Sequence, residues 1–157
     1  MKLIENNPLD TRVIADLIAD RDDLNLVWPL AKFPFDHEQW QEALDPEVGN
    51  KSFLVFEGNQ RIGHAALRVT ENPQTYMVSF LFLLPEIRSK GHGTNLVGLI
   101  EKYAGERLYA VKLILVARDY NPRAVKCYTK SGFKEYGREG TLIRMQKTIH
   151  RFPETPP

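Results

Sequence analysis

Cysteine is almost missing from this chain. Of 157 residues only Cys127 carries a thiol, so no internal disulfide can form and a reducing compartment is the compatible setting. Long apolar runs are missing as well. The run from Tyr76 to Leu84 is nine residues, and nothing approaches the ~20 that a membrane span requires. Met1-Lys2-Leu3-Ile4-Glu5 meets an acid too early for a signal peptide, so a cytoplasmic location with no membrane partner is expected. Neither sign of charge is in excess. Lys and Arg number 21 against 20 Asp and Glu, a net charge of +1, and nucleic acid is therefore not an expected partner. Any basic patch has to be local. The four histidines, His37, His64, His92 and His150, show no metal-ligand spacing, and no metal is implied.

What remains is an ordinary globular composition, 43% hydrophobic and 26% charged. The length suits one domain, expected over residues 1–149, with three prolines in the last eight residues marking 150–157 as a frayed tail. Leu3-Ile4 can close a first strand. Asp10 or Thr11 then caps a helix with Val13, Ile14, Leu17 and Ile18 on one face. The acidic stretch Asp20 to Asp23 is read as its end, and Leu26 to Phe35 as an ordered loop. Asp36 and Gln39 form a capping pair before a short helix to about Leu44.

Ser52 to Glu57 and Arg61 to Val69 read as two strands joined by Gly58-Asn59-Gln60, a hairpin signal, and Tyr76 to Leu84 reads as a buried strand. Leu96, Leu99, Ile100, Tyr103 and Ala104 fall at helical spacing, and Val111 to Ala117 is another strand. Asn121-Pro122 starts a helix that Gly132 stops. Phe133 to Tyr136 and Leu142 to Lys147 close the chain as a strand pair. The order β-α-α-β-β-β-α-β-α-β-β describes an α+β sheet with helices on its faces.

One stretch carries chemistry. After the buried strand come Arg88-Ser89-Lys90-Gly91-His92-Gly93-Thr94, where the chain turns into a helix. Glycines allow close backbone approach, free N–H groups at a helix start favour anions, and two basic side chains add charge of the right sign. A dinucleotide fingerprint needs a third glycine where Leu96 stands. A Walker loop fails at Gly58 to Gly63, which His64-Ala65 follow.

This turn resembles the acetyl-CoA signature of the GCN5-related N-acetyltransferase superfamily, Arg/Gln-x-x-Gly-x-Gly/Ala after the fourth strand. A second likeness is an Asn near the end of strand five, then a helix with a Tyr and a Gly-Phe pair, here Asn121 to Phe133 with Tyr128. The resemblance spans roughly Ser52 to Lys147. It implies a three-layer α/β/α fold around a mixed, mostly antiparallel sheet of about six or seven strands, splayed between strands four and five. It also implies an acetyltransferase with acetyl-CoA as cosubstrate and a primary amine as acceptor, on a small molecule or on a protein or peptide. Either a monomer or a homodimer suits the family.

By that resemblance the pyrophosphate rests on backbone N–H groups of Ser89, Lys90, Gly91, His92, Gly93 and Thr94, near the charges of Arg88 and Lys90. The pantetheine arm pairs with strand backbone at Phe82, Leu83 and Leu84, Asn121 belongs to the donor site, and Tyr128 protonates the departing thiolate. A sensor that binds acetyl-CoA without turnover is the alternative, because the fourth strand lacks the glutamate many relatives use as base and offers only Ser79. His64, Ser79 and ordered water are the open choices for base. Tyr128 could instead pack its ring on the sheet. Cys127 cannot face the same thioester as its neighbour, since consecutive helical residues diverge by about 100°. Trp28, Phe33, Phe35 and Trp40 either wall an acceptor pocket or fill a second core. Asp22, Asp23, Asp36 and Glu38 either attract a cationic amine or cap helices and face water.

Overall fold

The structure is a computed structural model that describes residues 1–149. The expected tail at 150–157 lies outside the described residues. Seven strands form one sheet: β1 (Lys2–Glu5), β2 (Lys51–Glu57), β3 (Gln60–Val69), β4 (Thr75–Leu83), β5 (Lys112–Arg118), β6 (Lys134–Glu139) and β7 (Leu142–Thr148). Their spatial order is β1-β2-β3-β4-β5-β7-β6, and every neighbouring pair is antiparallel except β4 with β5. Two parallel strands need a crossover, supplied here by the helix α4 (His92–Arg107). The remaining helices are α1 (Thr11–Leu17), α2 (Arg21–Val27), α3 (His37–Ala43) and α5 (Pro122–Lys130). No described helix is long and apolar enough to cross a membrane.

Each face of the sheet has its own core, which makes three layers. Ile14, Ile18, Leu24, Trp40 and Leu44 from α1 to α3 pack on Ala66, Phe80 and Phe82. On the other face Leu96, Val97, Ile100 and Ala104 of α4 pack on Val78, Leu113, Leu115 and Met145. The expected splay is present. β4 and β5 pair only over Thr75–Met77 and Lys112–Ile114, after which both strands continue without each other.

Two readings of the first fifty residues change. Asp20 does not end α1. Its carboxylate accepts from Asp23 N at 3.0 Å and caps α2, whose first turn holds Asp22 and Asp23 where a helix favours negative charge. The expected loop from Leu26 to Phe35 therefore loses its first two residues to α2, which gives three helices before β2 rather than two.

The strand β4 is bent by a bulge. Ala66 pairs with Ser79 and His64 with Phe82, so Ala65 faces two residues of β4, Phe80 and Leu81. Phe80 takes a positive φ of 52°, a conformation rare for a bulky side chain. Its ring consequently lies with that of Phe82 in the α1–α3 core, while Leu81 packs with the α4 core.

Candidate active site

The turn between β4 and α4 is built as an anion seat. Gly91 caps α4 at a φ of 82° and no side chain caps the helix. The first intrahelical bond runs from Asn95 N to Gly91 O at 3.2 Å, so the N–H groups of His92, Gly93 and Thr94 have no helical acceptor. A left-handed residue leading into helical ones turns successive N–H groups to one side, the arrangement that cups anions. Ser89 is also left-handed, at a φ of 67°, and both Ser89 and Lys90 are exposed. Gly93 has a different reason to be glycine. A Cβ there would stand 3.2 Å from Cys127 Sγ, so the start of α4 packs closely on α5.

Arg88 does not add its charge to this seat. Its Nε donates to Leu83 O at 2.8 Å, its Nη2 lies 3.3 Å from Asp23 Oδ1, and its guanidinium covers the Phe82 ring at 5.2 Å. The side chain ties the turn back to β4 and α2. Lys90 is left as the exposed cation of the turn, among residues 85–94.

The three backbone positions expected to meet the pantetheine arm divide. Leu84 N donates to Ile62 O at 2.9 Å, which spends it on β3. Phe82 pairs with His64 of the same strand. Backbone groups alternate between the two edges of an antiparallel strand, so Leu83 is the residue that points them at the gap beside β5. Its carbonyl is the one Arg88 holds.

On the far side of the gap, Asn121 Oδ1 accepts from Ala124 N at 3.4 Å and caps α5. Tyr128 packs edge-on against Phe133, with ring centroids 6.1 Å apart, and borders the α4 core. The ring packs, and the hydroxyl makes no hydrogen bond to the described residues. Burial, with a smaller contribution from Cys127, raises the phenol well above its ordinary pKa, so the group stays protonated. Burial also raises the Cys127 thiol, against weaker opposing hydrogen bonds from Thr94 and Ser131. A protonated thiol is a poor nucleophile.

Neither side chain proposed as base is free to act. His64 is fully buried, with Nδ1 2.9 Å from Phe80 O and Nε2 2.8 Å from Ser52 Oγ. A carbonyl only accepts, so Nδ1 carries the proton and Nε2 receives the Ser52 hydroxyl. Burial lowers its pKa to about 4 despite the Phe80 hydrogen bond. Ser79 Oγ accepts from Arg68 Nε at 2.9 Å. A serine beside a guanidinium is no base.

On the α1–α3 face the aromatics separate. Trp40 is fully buried, with Trp28, Phe35 and Phe80 rings at 4.8 to 5.2 Å, and is core. Phe33 is exposed beneath Arg21, whose Cζ lies 4.6 Å from its centroid. Two of the acids are also accounted for. Asp36 caps α3, and the Gln39 backbone N–H it accepts holds its carboxyl below the usual range. Asp23 is paired with Arg88, while Asp22 and Glu38 are exposed. The residue that sequence reasoning missed on this face is Arg68. Its parity in β3, shared with His64 and Ala66, was the available signal.

The site thus lies where the one parallel pair of a mixed sheet parts beside an uncapped helix start. The chain belongs to the acetyltransferase (GNAT) family, whose family model matches residues 18–133. A search of curated proteins found no match. Among solved structures, the chain is similar to a spermidine N-acetyltransferase from Vibrio cholerae in complex with CoA and spermine. That likeness has a TM-score of 0.76 at 21% identity, over 94% of this chain and 95% of that one. The Campylobacter jejuni N-acetyltransferase PseH is similar with a TM-score of 0.68 at 22% identity, over 95% and 98%. A dodecameric structure of the Vibrio cholerae enzyme gives 0.71 at 21% identity, over 94% and 93%. The family's cosubstrate is acetyl-CoA.

Proposed function

We propose that this protein moves the acetyl group of acetyl-CoA to a primary amine by direct attack in a ternary complex. The observation that carries the reading is the parting of β4 from β5 after Met77, beside the three unpartnered N–H groups of α4. The donor fits these residues. Its pyrophosphate suits the N–H groups of His92, Gly93 and Thr94, with Lys90 nearby, and the gap exposes Leu83 backbone to an arm with amide groups of its own.

In the transfer, the amine nitrogen bonds to the thioester carbonyl carbon, the C–S bond breaks, and the sulfur leaves with its electron pair. The Tyr128 phenol gives its proton to that sulfur, and the amine's surplus proton returns through water to the phenol. An ordinary phenol, near pKa 10, is already a weak acid toward a thiolate near 8.5, and burial weakens Tyr128 further, so its value lies in being placed and protonated at the moment of cleavage. With His64 and Ser79 committed elsewhere, the amine arrives neutral or loses its proton to water.

The test is release of CoA thiol from acetyl-CoA across a panel of small amines and peptides. Acceptor-dependent release supports transfer. Tight acetyl-CoA binding with no release from any acceptor supports the sensor reading instead.

A further inference from the structure

Arg68 stands apart from the other arginines of the described residues that form ion pairs. Arg12, Arg88, Arg138 and Arg144 each have a carboxylate within 3.5 Å. Arg68 is less exposed than Arg12 and Arg138 and has none. Its Nε donates to Ser79 Oγ at 2.9 Å, its Nη2 reaches Met77 Sδ at 3.6 Å, and its Cζ lies 4.6 Å over the Phe80 ring. Those partners orient the guanidinium without neutralising it. Burial lowers its pKa, which expresses the same unmet charge. Nη1 bonds to nothing among the described residues, so one edge of the fork is unspent.

Its place matters as much as its charge. Met77 is the last residue of β4 that pairs with β5, and Ser79 and Phe80 are the first beyond it on the α1–α3 face. The anion seat and Tyr128 belong to the α4–α5 face, so an acceptor has to approach the gap from the face where Arg68 lies. We propose that Arg68 binds a carboxylate on the acceptor, which makes the substrate a small amino acid or other short amino carboxylate. A half-buried, uncompensated guanidinium repels a polyamine and attracts an anion, and a single planar fork matches a single carboxylate. The same charge helps an amine shed its proton, which suits a site with no side-chain base.

This inference rests on the transfer reaction above, and the experiment separates the two. CoA release is measured for short amino carboxylates, the matching amino amides, an aminoalkyl phosphate of equal length, and spermidine, with wild type, Arg68→Gln and Arg68→Lys. The carboxylates are expected to exceed their amides in kcat/KM by about tenfold or more in wild type. Arg68→Gln brings that ratio near one, with acetyl-CoA affinity kept, and Arg68→Lys restores part of it. A purely structural arginine would lower both rates alike and leave the ratio, which overturns the proposal. Release confined to amides, spermidine or the phosphate overturns it too and leaves transfer intact. Release with no amine of any class overturns the transfer reading and the inference together.

Discussion

His64 Nδ1 donates to the carbonyl of Phe80 across 2.9 Å, and Phe80 is the residue at which β4 takes its left-handed step. The bulge removes that carbonyl from the β3 ladder, and a buried carbonyl without a donor is costly, so a side chain from the neighbouring strand replaces the missing backbone partner. Ser52 Oγ and Asn6 Nδ2 continue the chain of hydrogen bonds behind the ring, at 2.8 and 3.3 Å. His64 thus supports the bend that accompanies the opening of β4 from β5. Replacing it by leucine leaves Phe80 O without a donor and the Ser52 hydroxyl proton without its acceptor, while Asn6 Nδ2 still donates to Ser52 Oγ. A loss of about 2–3 kcal/mol in urea denaturation is expected, together with a raised KM for acetyl-CoA.

The same histidine makes stability depend on pH. Above pH 6.5 it is neutral in both folded and unfolded chains. Between 6.5 and about 4 the unfolded chain takes up a proton that the folded chain refuses, so stability falls as the pH drops through that window. The contribution reaches roughly 3 kcal/mol at the lower end. Melting curves of wild type and His64→Gln across this range should converge as the pH falls, and parallel curves would refute the assignment.

Tyr128→Phe keeps the ring that packs on Phe133 and removes only the hydroxyl. Turnover is expected to fall by about a hundredfold or more while acetyl-CoA affinity holds. Because burial raises this phenol, wild-type activity should show no loss from its ionisation across neutral and mildly alkaline pH. Stopped-flow thiol release and equilibrium binding measure the two quantities separately.

Gly91 and Gly93 are distinguishable by substitution. An alanine at 91 meets no atom within 4 Å but must hold a φ of 82°, whereas an alanine at 93 meets Cys127 Sγ at 3.2 Å. Each should weaken acetyl-CoA binding, by about 1 kcal/mol or roughly fivefold. Adding Cys127→Ala should rescue Gly93→Ala and leave Gly91→Ala unchanged, as calorimetric titration would read.

The fold was legible where periodicity and punctuation agree. The β2–β3 hairpin, the Asn121 cap of α5 and the helical stripe Leu96, Ile100 and Ala104 all stand where the pattern put them. The bulge at Phe80 was not legible, because a wholly apolar run has no alternation to break. Asp20 was misread since an acid stops one helix or starts another, and only the Leu24 and Val27 that follow decide between them. Arg88 reads as a phosphate ligand only through its place in the glycine motif. Its actual partner, Asp23, lies 65 positions away, beyond the reach of any local pattern.

Transfer of the acetyl group can be followed with acetyl-CoA labelled in that group. Incubated with the protein and an amine, the label should appear in the amine in amounts equal to the CoA thiol set free, with Tyr128→Phe slowing both together. Thiol release without labelled amine, or label retained on Cys127, would contradict the account.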